Sequence, residues 1–107
     1  MTKVEEKIAL MELYDLYQNL LTKKQREYFE AAYFDDSSIS EIADEFGVSR
    51  NAVHDQIKKT ISKLNDFDEK LQLKKLSYKR SKIINKLMEV SKDDEITLLL
   101  TELKKVE

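Results

Sequence analysis

The chain has 107 residues, 41% hydrophobic and 37% charged, with 19 Lys/Arg against 21 Asp/Glu and a net charge of −2. That length suits one small domain, or one domain with a helical extension. There is no cysteine, no proline and one glycine, which excludes a disulfide framework, a zinc finger and thiol chemistry, and favours helix throughout.

No apolar run approaches the roughly 20 residues that span a bilayer. The opening MTKVEEKIAL carries Glu5 and Glu6 and lacks the basic-then-apolar order of a secretory signal. A cytoplasmic protein with no membrane partner is the expectation. A first helix is predicted from about Val4 to Leu21, with Leu10, Leu13, Tyr14, Tyr17, Leu20 and Leu21 on one apolar face. Thr22 and Gln25 form a capping box for a second helix, which turns Tyr28, Phe29, Ala32 and Tyr33 inward. Asp35 to Ser38 make a loop, and Ser38 with Glu41 is a second capping box. The next helix points Ile39, Ile42, Ala43 and Phe46 inward.

The stretch ISEIADEFGVSRNAVHDQI, residues 39–57, has the form of a helix-turn-helix. Gly47, the single glycine, falls where the turn needs positive φ, and Ala43 is small where two helices must cross. Ser49 caps the second helix, held by Val48, Val53 and Ile57. Its apolar period runs on through Ile61, Leu64, Phe67 or Asp68, and Leu71, with no breaker before Ser77. A helix of that length must dock its later turns on helix one or on a second subunit. A further helix is predicted over about Tyr78 to Val90, with Ile83, Ile84, Leu87 and Met88 apolar. The last helix is capped by Ser91, with Asp93, Asp94 and Glu95 at its positive end and Ile96, Leu99, Leu100 and Leu103 as its inner stripe.

Charge is unevenly placed. Residues 1–60 hold 8 Lys/Arg against 12 Asp/Glu, and residues 61–107 hold 11 against 9. From Lys70 to Lys86 there are seven cationic residues and no acidic one. Lys75, Lys79, Lys82 and Lys86 share a helical face, and Lys74 could extend it. Such a line suits a phosphate backbone, with Tyr78 beside it to stack on an unpaired base. The competing explanation is a solvated face whose charges balance the acidic head, for instance by contacting it within a dimer.

On the second helix of the helix-turn-helix, Arg50, Asn51, His54, Asp55 and Lys58 should be exposed. Arg50 and Lys58 can pair with phosphates, and Asn51 can read adenine or bond a phosphate. Asp55 opposes a polyanion unless it accepts from a cytosine amino group or pairs with Lys58 or Lys59. The same motif can also be a packing unit or a protein-docking surface. The aromatic set Tyr14, Tyr17, Tyr28, Phe29, Tyr33, Phe34 and Phe46 is expected to be mostly core rather than a stacking platform. His54 is the only histidine and builds no zinc site. Asp35–Asp36 and Asp93–Glu95 lack the spacing and glycine of a calcium loop. No metal or cofactor is expected. No nucleophile–base set or phosphate-cradling glycine loop is present, so the expectation is a non-enzyme with no catalytic residues.

The run LTKKQREYFEAAY (21–33), followed by SEIA (40–43) and GVS (47–49), resembles the fourth conserved region of bacterial sigma-70-type factors over about Leu21 to Leu64. Together with the tyrosine-rich start, the paired acids at 35–36 and the tail, the chain is similar to the YlxM family of small bacterial proteins. That resemblance implies an all-α, sigma-region-4-like helix-turn-helix bundle with a C-terminal helical extension. It also implies a DNA- or RNA-binding regulatory protein linked to the signal recognition particle, because the family's gene commonly neighbours those of the particle's GTPases.

The expected organisation is a helix-turn-helix head over residues 1–68 and a helical tail over 69–107, packed on the head or on a second subunit. The expected nucleic-acid-binding residues are Arg50, Asn51, His54, Lys58 and Lys59, with Lys75, Lys79, Lys82 and Lys86 adding sequence-independent grip. The expected partner is DNA or the particle's RNA, with a homodimer allowed by the tail. The alternative is an adaptor for a particle GTPase or its RNA, with the helix-turn-helix as scaffold.

Overall fold

The computed structural model describes residues 2–107. Among them are six α-helices and one 3-10 turn, with no strand: α1 (Lys3–Tyr17), the turn Gln18–Leu20, α2 (Lys23–Tyr33), α3 (Ile39–Phe46), α4 (Arg50–Leu71), α5 (Leu73–Val90) and α6 (Asp94–Lys105). The fold is all-α, and the residues form two compact units, the first ending at Leu71 and the second running from Gln72 to Glu107.

In the first unit three helices start on reciprocal capping boxes: Thr2–Glu5 on α1, Thr22–Gln25 on α2 and Ser38–Glu41 on α3. Each box satisfies two backbone N–H groups that a helix start would leave without partners. The Ser49 hydroxyl satisfies one such group of α4, accepting from Ala52 N–H at 3.0 Å. α3 ends at Gly47, whose φ of 65° is left-handed, and the N–H groups of Gly47 and Val48 both donate to the Ala43 carbonyl. A Cβ at Gly47 would meet nothing within 4 Å. Backbone conformation, not crowding, therefore calls for glycine there.

The core has two centres. One surrounds the helix-turn-helix, where Tyr28, Ala31, Ile42, Ala43 and Val53 are buried and Phe46, Val48 and Ile57 close over them. The other is aromatic. Phe29 stacks on Tyr14 at 4.7 Å and on Tyr33 at 4.4 Å between ring centroids. Tyr14, Tyr17, Tyr28 and Phe29 are each at most 2% exposed, so these four are core; Phe34, at the C-terminal cap of α2, is 43% exposed.

α4 packs on α1, α2 and α3. Its 22 residues extend about 33 Å. Its far end docks on α1: Leu64 is fully buried, Phe67 packs on Tyr17 at 6.0 Å, and the Tyr17 hydroxyl donates to Asp68 at 2.8 Å.

Several boundaries differ from expectation. α1 stops at Tyr17 rather than Leu21, because residues 18–20 tighten into the 3-10 turn, and Leu20 is 54% exposed. α4 stops at Leu71 rather than near Ser77, because Gln72 adopts a left-handed φ of 53°; α5 accordingly begins at Leu73, not Tyr78.

The second unit is an α5–α6 hairpin. Asp93, not Ser91, caps α6, its carboxylate accepting from Glu95 N–H at 2.8 Å and Ile96 N–H at 3.4 Å. Ser91 closes α5. The inner stripe foreseen for α6 is mostly outside: Leu100 is 8% exposed, but Ile96, Leu99 and Leu103 are 49%, 58% and 45% exposed.

Candidate nucleic-acid interface

α4 is held from one side. Val53, Thr60 and Leu64 are buried and recur at helical spacing. At 3.6 residues per turn, Asn51 and Lys58 fall on the opposite side and His54 about a quarter turn from the buried line, with Arg50 and Lys59 at the two edges of an exposed half-circumference. All five are exposed. Asp55 lies among them, its Oδ1 3.9 Å from His54 Nδ1. Both side chains are well exposed, so the contact does little to neutralise the carboxylate. The neighbouring α3 adds Glu41, Asp44 and Glu45, all exposed. The outer face of the helix-turn-helix thus pairs a cationic and amide-bearing helix with an acidic one.

The lysine run does not lie on one helix. The Gln72 break leaves Lys70 on α4 and puts Lys74 to Lys86 on α5. There Lys75, Lys79, Lys82 and Lys86 are exposed and fall within about a sixth of the helix circumference. That face is opposite Ser77, Ser81, Ile84 and Met88, the side turned towards α6. Lys74 sits about a quarter turn away, is half-buried, and does not extend the line. Tyr78 is 64% exposed, with Lys82 Nζ 5.0 Å from its ring centroid. A base stacking on that face of the ring would displace the lysine or share the ring with it. Arg80 leaves the cationic face altogether: its Nε donates to both carboxylate oxygens of Glu107, at 2.7 and 3.0 Å. A partner 27 residues away leaves no local signal in the sequence. The expected residues are therefore two groups, five on α4 in the first unit and four on α5 in the second.

Among the described residues no group of three or more His, Asp or Glu side chains is placed to hold a metal ion. None of the helices there is long and apolar enough to cross a membrane.

The capped α3, the Gly47 turn and the core-locked, outward-facing start of α4 define a helix-turn-helix protein. The profile of the family described as "UPF0122: Putative helix-turn-helix protein, YlxM / p13 like" matches residues 4–104, and the chain belongs to that family. It is 42% identical over 108 residues to the "UPF0122 protein YlxM" of Bacillus subtilis, covering 97% of this chain and 98% of that one. A UPF0122 protein of Halalkalibacterium halodurans is 46% identical over 86 residues, 80% of this chain and 79% of its own. One of Anoxybacillus flavithermus is 41% identical over 109 residues, 97% and 99% of the two chains.

Proposed function

We propose that this is a non-enzymatic, nucleic-acid-binding regulatory protein that meets its polyanion with the outer face of α4. The observation that supports this most is the division of α4 into a fully buried line and an exposed half carrying Arg50, Asn51, His54, Lys58 and Lys59. A helix fixed along one side presents the other without paying to order it, as groove-reading helices do. Arg50 and Lys58 take phosphates, Asn51 and His54 reach a base edge or a phosphate, and Lys59 flanks them. The α5 lysine face adds grip that does not depend on sequence. The YlxM resemblance points to the signal recognition particle pathway, so the particle's RNA is the first polyanion to test and duplex DNA the second.

A second reading has its own support. Glu41, Asp44, Glu45 and Asp55 border the same face and oppose phosphate. They favour an adaptor that binds a particle GTPase or its RNA-bound form, with the helix-turn-helix as scaffold.

A salt titration of binding to the particle's RNA, beside random duplex DNA of equal length, separates the two. Under the first reading one nucleic acid binds tightly, and Arg50→Ala with Lys58→Ala weakens it and lowers the log–log salt slope by roughly two. No binding to either near physiological salt would sink that reading and leave the adaptor.

A further inference from the structure

We propose that the α5–α6 hairpin is a dimerisation module, covered by the hairpin of a second copy of this chain with α5 of each lying across α6 of the other. The hairpin buries little on its own: Ile84 and Leu100, 4% and 8% exposed, are its only buried side chains. Residues 72–107 are fewer than the roughly 40 below which a unit needs metal, disulfide or a partner to be stable.

Most of the exposed apolar side chains fall into two stripes, with Tyr78 and Leu98 lying off them. On α5, Leu76, Ile83, Leu87 and Val90 are 43%, 59%, 45% and 74% exposed and share one stripe. That stripe lies about a third of a turn from the side facing α6. On α6, Ile96, Leu99 and Leu103 form a second stripe, offset from the α5-facing side by a similar angle in the same rotational sense. In an antiparallel pair, equal rotations in the same sense bring both stripes to one side. The hairpin thus has a single apolar face with Ile84 and Leu100 at its floor.

The rims of that face say what covers it. Beyond the α5 stripe lie Lys79 and Lys86; beyond the α6 stripe lie Glu95 and Glu102, all exposed. Each pair is seven residues, two turns, apart. A two-fold axis parallel to the helices puts α5 antiparallel to α6 of the other copy. Lys86 then meets Glu95, and Lys79 meets Glu102, on both seams, which leaves Lys75 and Lys82 of that face for a polyanion. Stacking α5 on α5 would set lysine against lysine. The surface is therefore self-complementary in the way an isologous interface requires, and the product is an antiparallel four-helix bundle.

Sedimentation equilibrium of the full chain, without nucleic acid, tests this independently of the proposed function. The wild type should be a dimer at micromolar concentration. Leu87→Asp with Leu99→Asp should give a monomer that keeps the far-UV helical signal of residues 1–71, since both side chains lie outside that unit and are exposed within one chain. Lys79→Glu/Lys86→Glu and Glu95→Lys/Glu102→Lys should each raise the dissociation constant at least about tenfold, and mixing the two variants should restore a heterodimer. A wild type monomeric up to roughly 100 µM would overturn the proposal. So would a dimer indifferent to the two aspartates, or charge variants that fail to associate when mixed.

Discussion

Tyr14 shows how one side chain can serve the core and a polar contact together. Its ring is 2% exposed and stacks on Phe29, while its hydroxyl donates to Glu30 at 2.7 Å. Burial, and then the hydrogen bond to Glu30, hold its phenol proton well above the usual range. In the unfolded chain that phenol titrates near about pH 10. The folded state keeps a proton that the unfolded state gives up, so this contribution is full below that pH and is lost as the pH rises beyond it. Tyr14→Phe keeps the stack and removes the bond. It should cost about 1 kcal/mol near neutral pH and flatten the alkaline loss, as read from urea midpoints on either side of that titration. Tyr33, also raised by burial, keeps part of that dependence in the variant.

In the first unit the helices begin at side-chain caps and α3 ends at its glycine, but α4 ends where no residue type announces it. Thr22–Gln25, Ser38–Glu41, Ser49 and Gly47 are local chemistry, each satisfying backbone groups within a few residues, and all lie in the chain as plain signals. Gln72 carries no such signal. It is neither glycine nor asparagine, yet it takes φ 53° and divides a continuous apolar period into α4 and α5. A left-handed conformation costs a residue with a Cβ roughly 1–2 kcal/mol. Gln72→Gly should therefore raise stability by about 0.5–1 kcal/mol and Gln72→Val should lower it, as measured by thermal unfolding of the full chain. Loss of stability in the glycine variant would mean that the break is not a strained point. The break within the lysine run was expected near Ser77 and falls at Gln72, which puts Lys75 on the same helix as Lys79, Lys82 and Lys86.

Across the whole molecule, stability is concentrated in the first unit. Nearly all of the buried side chains, from Leu13 to Leu64, lie within it, and its four helices supply one another's partners. Residues 1–71 expressed alone should unfold cooperatively with the full chain's buried aromatic signal. Residues 72–107 alone should be largely unfolded when dilute, by circular dichroism. A non-cooperative first fragment would show that its core draws on the second unit. The all-α class, the helix-turn-helix and the exposure of Arg50, Asn51, His54, Lys58 and Lys59 were all encoded locally, in capping residues, one glycine and a 3.6-residue apolar period. Contacts between segments distant in the chain settled the rest: α1 as the dock for the end of α4, Arg80 drawn to Glu107, and an apolar α6 stripe facing outward. Periodicity tells which residues share a face, but what that face meets depends on where other helices come to lie.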